Sequence, residues 1–416
     1  MVHRYGEPLG TLLENVFGRH CSSVTMNCKK VCGPCELGIK YNAQFQKVAA
    51  DRVERVRAKL CLRSTAEEQQ GVTQLLSYLR APGYTVTDVL ERQHAKDLPL
   101  DTFSRKHDKL CRPVLLQGLL EEWKALERWS LYNLVTRYSD DEFVVGPDRQ
   151  RRQEVCIKMK YIAYYLKEYR DPTPFQINDD MSQGNKKRLR DDYEVPSYFK
   201  DDAFKYAPEV DLPSIRLFQL GPALAGDRIQ CSPYHCNYWN ALVHGSRRWC
   251  LFSHHTPQEL VCNDPRTRGR RLDSAVAWFE RIFPRTQSSR WPRYFKPIEI
   301  IQNAGEVVFV PAGWWYVWIN LEVSVSVSHQ HCSPLRVSRA WPRLVRGNQI
   351  LEQGWFEVLR RRRPDIAVLI PKGRRERRRS SDSDSETHSK TLDTTFTSCT
   401  TERERDISEE FVSDNS

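Results

Sequence analysis

The sequence predicts a mainly β molecule with flanking helices, its centre an antiparallel barrel or jelly roll. Three observations predict it. Residues 213–332 are short apolar runs broken by Gly and Pro turns. One run, Val323-Ser324-Val325-Ser326-Val327-Ser328, alternates strictly, as a strand with two unlike faces does. On either side the spacing of apolar residues changes to that of helices.

Within 213–332 the other strands are expected at Ile215–Leu220, Trp239–Val243, Arg248–Phe252, Pro297–Ile301 and Glu306–Val310. Residues 273–283, with Ala275, Val276, Phe279 and Ile282, read as an inserted helix. Upstream, 86–212 is a mixed helical and β part. Pro113-Val114-Leu115-Leu116 is a strand, Trp123, Leu126, Trp129 and Leu131 mark a helical stretch, and Val155, Met159, Ile162 and Leu166 predict an amphipathic helix over 154–169. Downstream, 333–370 turns helical, with Ile350, Leu351, Trp355, Phe356 and Leu359 on one packing face.

Both ends differ from this body. Residues 1–85 form an extension whose structure the sequence does not define. Cys21, Cys28, Cys32 and Cys35 lie there, Cys32-Gly33-Pro34-Cys35 as a C-x-x-C. Four thiols suit tetrahedral zinc, but the second C-x-x-C is missing, so free thiols are the favoured reading and no metal is assigned. After residue 371 a basic run, Arg374–Arg379, meets Ser380-Ser381-Asp382-Ser383-Asp384-Ser385-Glu386. Residues 371–416 bury too little to offset their ordering entropy and are expected to be disordered. Ser381, Ser383 and Ser385, each followed by an acidic residue, are candidate phosphorylation sites.

The chain has 416 residues, 40% of them hydrophobic, enough for a large core. Its 13 cysteines are odd in number and scattered, which fits reduced thiols inside a cell rather than a secreted disulfide framework. No apolar run is long enough to span a bilayer. The formal charge of +11 favours nucleic acid or acidic partners.

Longer strings carry a family likeness: Trp239 through Phe252, Ala277-Trp278-Phe279, Phe283 through Gln287, Phe295-Lys296-Pro297, and Gly305 through Trp315. Lys158-Met159-Lys160-Tyr161 and Asp192 through Pro196 add to it. Over roughly residues 88–370 the chain resembles the JmjC-domain family, and within it the phosphatidylserine-receptor-like branch of bifunctional arginine demethylases and lysyl-hydroxylases. The resemblance implies a double-stranded β-helix of the cupin type. It also implies chemistry with Fe(II), held by two His and one carboxylate, and 2-oxoglutarate.

The resemblance places Gln230 and Ser232 at the His-x-Asp positions and Tyr316 at the distal His. All three metal positions are thereby degenerate: an amide, a hydroxyl and a phenol replace two imidazoles and a carboxylate. Asn240, Arg247 and Ser328 fall on the 2-oxoglutarate-binding positions, and Gln176 falls near a pocket Tyr. His235-Cys236-Asn237, His329 and His331 are the candidates for a relocated iron site. Strand parity turns His329 and His331 away from Ser328, and their expected environment is exposed or in a loop. Two expectations follow. One is an inactive family member, without cofactor or catalytic residues, acting in the nucleus as a binding or scaffolding module for arginine/serine-rich splicing factors, histone tails or RNA. Lys186-Lys187-Arg188-Leu189-Arg190 and Arg374–Arg379 would then be targeting signals, with the cytoplasm as a second location. The alternative is an Fe(II)- and 2-oxoglutarate-dependent lysyl-hydroxylase or arginine demethylase with non-standard ligands.

Overall fold

The computed structural model describes residues 41–60, 75, 77–79, 90–147, 153–208, 215–263 and 274–371. The four clustered cysteines and the charged tail lie outside the described residues. The chain divides into two units, Met1–Ile370 and Pro371–Ser416. Everything below concerns the first.

Its strands are β1 (Arg92–His94), β2 (Val114–Gln117), β3 (Glu142–Pro147), β4 (Glu154–Lys158), β5 (Ile177–Asp179), β6 (Arg216–Gly221), β7 (Gly226–Gln230), β8 (Asn237–His244), β9 (Ser246–Phe252), β10 (Ile298–Asn303), β11 (Val307–Val310), β12 (Trp315–Asn320) and β13 (Ser324–His331). A seven-stranded sheet runs β1-β2-β11-β8-β13-β6-β5 and a four-stranded sheet runs β10-β9-β12-β7. The pairings are antiparallel except β1 with β2. Facing each other, the two sheets form the double-stranded β-helix. Strands β3 and β4 form a separate hairpin.

Alternation along the strands sorts the side chains into three layers. Val325, Val327, Trp239, Ala241, Phe218 and Phe309 leave the outer face of the large sheet and join the core beneath the N-terminal helices. Cys250, Phe252, Val317 and Ile319 leave the outer face of the small sheet and pack with Trp278, Phe279 and Phe283. Between the sheets lie Tyr238, Trp249, Leu251, Val308, Tyr316 and Trp318. Each fully buried large apolar side chain contributes about 1.5–3 kcal/mol, so most of the driving force holds the helices onto the sheets.

The principal helices are α1 (Ala43–Lys59), α2 (Leu131–Tyr138), α3 (Met159–Glu168), α4 (Ala275–Arg281), α5 (Val337–Leu344) and α6 (Gln349–Arg362). Helix α1, within the extension the sequence left undefined, starts at the cap Asn42 and buries Ala49, Val53 and Val56 in the same core as Tyr164 and Tyr165 of α3. Arg57 of α1 pairs with Asp171 at 2.7 Å. Among the described residues no helix is long and apolar enough to cross a membrane.

Two expectations need correction. The helix predicted over 154–169 begins only at Met159, because Val155 and Ile157 alternate with the outward Glu154 and Cys156 as strand β4. The period-2 pairing with β3 overrides a helical spacing that shares the same residues. Ile350 is 81% exposed, and α6 packs through Leu351, Trp355 and Leu359 alone. The basic run at 186–190 is partly tied down: Lys186 pairs with Asp179 at 2.6 Å, Leu189 is buried, and Arg190 donates to the Asp180 carbonyl.

Candidate functional site

The degenerate metal positions meet at one end of the barrel interior. Gln230 closes β7 and stands opposite Tyr316 of β12. Ser232, buried just beyond β7, donates from Oγ to Gln330 Oε1 on β13 at 2.9 Å and accepts the Cys236 N–H at 3.2 Å. Gln330 also faces the Tyr316 hydroxyl. Tyr316 stacks on Tyr238, ring centroids 4.8 Å apart and planes 14° from parallel. Burial, with Tyr238 and Asp227 nearby, drives the Tyr316 phenol well above its ordinary range, and Tyr238 rises to about 12 for the same first reason. Both rings are therefore neutral phenols at pH 7.

Deeper in the barrel the three cosubstrate candidates lie together. Ser328 is paired across the sheet with Asn240. Arg247, fully buried, donates from Nη1 to Asn240 Oδ1 at 3.0 Å and from Nε to Asn320 Oδ1 at 2.7 Å. Its guanidinium lies 3.8 Å from the Trp318 ring centre. Asn240 Nδ2 donates onward to Gln219 Oε1, and Gln219 Nε2 to Asn178 Oδ1. Gln176 Nε2 donates to the same Asn178 oxygen, and both residues line a cavity of about 420 Å³ beside Gly226.

The sequence reasoning missed four interior residues: Asp227, Tyr238, Trp318 and Gln330. Parity carried the signal for three of them, since Tyr238, Trp318 and Gln330 stand two positions from Asn240, Tyr316 and Ser328. Asp227 was hidden by a bulge. The β7–β12 register slips between Tyr316 and Trp318, so Gln230 and Asp227, three residues apart, both stand opposite inward-facing residues of β12. Burial raises the Asp227 carboxyl to about 6, opposed by nearby Arg247 and Arg228. Burial lowers Arg247 to about 10, opposed by Tyr238 and Asp227.

The candidates for a relocated iron site do not enter the barrel. His329 and His331 point to the outer face, as parity requires, but they are buried there rather than exposed. His329 stacks on Trp239 at 4.2 Å and its Nε2 meets the Tyr193 hydroxyl at 2.8 Å; His331 packs against Phe199. The N-terminal helical layer covers that face. His235 sits in the loop after β7 at φ 58°, while Asn237 is committed to Asp108 and the Ala312 N–H.

Fe(II) in a facial site takes two imidazoles and a carboxylate. The converging set here is an amide, a hydroxyl and a neutral phenol, and among the described residues no group of three or more His, Cys, Asp or Glu is placed to hold an ion. This donor set does not fit the metal. Of the cosubstrate candidates, Arg247 is shared between two Asn side chains and an indole with Asp227 nearby, while its Nη2 is buried without a hydrogen-bond partner.

Fold and interior together define a double-stranded β-helix whose two sheets face one another across a layer of mostly aromatic side chains. The profile described as "JmjC domain, hydroxylase" matches residues 218–331. The chain is 36% identical over 285 residues to the bifunctional arginine demethylase and lysyl-hydroxylase psr-1 of Caenorhabditis briggsae, covering 68% of this chain and 72% of that protein. The Caenorhabditis elegans protein of that name is 34% identical, covering 68% and 71%. The arginine-specific demethylase JMJ22 of Arabidopsis thaliana is 32% identical over 243 residues, 57% of this chain and 45% of its own. The chain belongs to the JmjC family of oxygenases and demethylases.

Proposed function

We propose that this protein is a JmjC pseudoenzyme: a nuclear binding or scaffolding module that keeps the barrel and works without iron or 2-oxoglutarate. The observation that carries the reading is the donor set at Gln230, Ser232 and Tyr316, where no imidazole or carboxylate replaces the family's ligands. The Tyr238–Tyr316 stack and the Arg247–Trp318 contact support it, because they fill the space a metal and its cosubstrate need. Arginine/serine-rich proteins, histone tails and RNA are the proposed partners, in keeping with the formal charge of +11. Of the basic run at 186–190, Lys187 and Arg188 are exposed.

The test is direct. Full-length protein, incubated anaerobically with Fe(II), is desalted and assayed for retained iron and for decarboxylation of 2-oxoglutarate. The expected result is no turnover above a metal-free control. The second reading, an oxygenase with non-standard ligands, is favoured by one observation: Asp227 keeps a carboxylate inside the barrel. Turnover that disappears in Asp227→Asn, or on substituting His235, His329 or His331, would establish that reading instead.

A further inference from the structure

A second group of functional side chains lies away from the barrel interior. Arg336, Arg339 and Arg343 stand at the start and along one face of α5, three and four positions apart. Near this face are the loops after β7 and β9. His235 and His254 both pack on Gly313: a Cβ built there would lie 3.2 Å from His235 Cε1 and 3.3 Å from His254 Cβ. Burial lowers His235 to about 4, with Arg343, Arg339, Arg336 and His254 adding to the shift, so those four groups all act on this imidazole.

Arg336 is the recessed member, 5% exposed. Its Nε donates to Asp108 Oδ1 at 3.0 Å, and that same oxygen accepts from Asn237 Nδ2. Its Nη2 is buried without an acceptor. An unsatisfied buried donor costs about 1–3 kcal/mol, and more for a charged group, so an acceptor arriving there is favoured. Arg339 and Arg343 are exposed and form no ion pair with any described carboxylate. The cluster thus holds three guanidiniums and two imidazoles against a single carboxylate.

We propose that this face is a binding site for a phosphomonoester dianion. The cluster is compact: Arg336, Arg339 and Arg343 all act on one imidazole, His235, and Arg343 Nη1 folds back onto the Arg339 carbonyl at 3.1 Å. A phosphomonoester concentrates nearly two charges and three acceptor oxygens at one place. A nucleic-acid backbone spreads single charges along a line and calls for a basic stripe. The inference is independent of whether the barrel binds metal.

Isothermal titration calorimetry on the full chain, in low-salt buffer free of phosphate, tests it. The probes are inorganic phosphate, a phosphoserine peptide, the same peptide unphosphorylated and a single-stranded RNA. The phosphorylated probe should bind saturably and the unphosphorylated one should not. Arg339→Gln with Arg343→Gln should weaken binding at least tenfold at an unchanged thermal midpoint, Arg339→Gln alone should weaken it by less, and Lys47→Gln with Arg52→Gln, exposed on α1, should leave it alone. Equal affinity for inorganic phosphate and the peptide assigns a small free ligand; a tenfold preference for the peptide assigns a phosphorylated side chain. Absence of saturable binding overturns the proposal, as does affinity unchanged in the double variant. It also fails if only single-stranded RNA binds through these arginines.

Discussion

Asp227 is the carboxylate that this barrel keeps inside, and its proton is tied to stability. Its folded pKa of about 6 lies above its ordinary 3.8, chiefly through burial. Below about pH 4 the group is protonated in both folded and unfolded chains, and its contribution is fully present. As pH rises through 6 the unfolded chain releases the proton first, and stability is lost. The loss is about 2 kcal/mol, since a pKa unit is worth about 1.4 kcal/mol and this residue is not wholly enclosed. Urea denaturation at pH 4 and pH 6.5 should show that decrease in the wild type and not in Asp227→Asn. A second prediction concerns the metal positions. Gln230→His, Ser232→Asp and Tyr316→His together restore a facial triad, and Tyr238→Ala removes the ring that stacks on the third position. The fourfold variant should bind Fe(II) at least tenfold more tightly than wild type, measured by competition with a chromophoric chelator. Unchanged affinity would mean that the strand positions themselves have moved.

At the scale of elements, β7 is open to disruption at its first residue. A Cβ on Gly226 would lie 2.1 Å from the Trp318 carbonyl oxygen and 3.0 Å from Ala275 Cβ. Both neighbours are held by a strand or helix, so Gly226→Ala should cost about 3 kcal/mol, readable as a lower denaturation midpoint. The same strand shows why some of the fold was legible in the sequence and some was not. β13 was readable from Val-Ser alternation and β8 and β9 from continuous apolar runs, because burial on one or both faces writes itself into composition. β7, Gly-Asp-Arg-Ile-Gln, is short, polar and bulged, so neither period nor hydrophobicity marks it. The 154–158 segment failed for a different reason: Val155 serves both a helical and an alternating pattern, and only the partner strand β3 decides between them. At the site, Gln230, Ser232 and Tyr316 were found through the family's spacing. Asp227 was not, because a bulge breaks the parity that would have exposed it. The buried state of His329 and His331 was equally out of reach, since parity gives a side chain's face but not what covers that face.

At the scale of the whole molecule, the large sheet depends on the layer above it. Val325, Val327, Trp239 and Phe309 bury themselves against the N-terminal helices, not against the barrel interior. Helix α1 closes that layer: Tyr41 meets Tyr164 edge-on, and Asp171 accepts from both Arg57 and the Tyr165 hydroxyl. A chain beginning at residue 61 should therefore lose about 4 kcal/mol or more, through several uncovered apolar side chains and a broken, partly buried ion pair, and scanning calorimetry should show its midpoint falling. The strand order has a further effect, on time. Val307 pairs with Leu116, and Gln117 Nε2 reaches Glu306 across 189 positions of the chain. At a synthesis rate of roughly 5–20 residues per second, about 10–40 s pass between the emergence of β2 from the ribosome and that of its antiparallel partner. Throughout that interval β2 has an open edge on that side, and Val114, Leu115 and Leu116 lack the neighbours that later enclose them. This sheet is thus completed only after its late strands β11 and β13 have emerged, and among the described strands the longest wait for a partner is at β2.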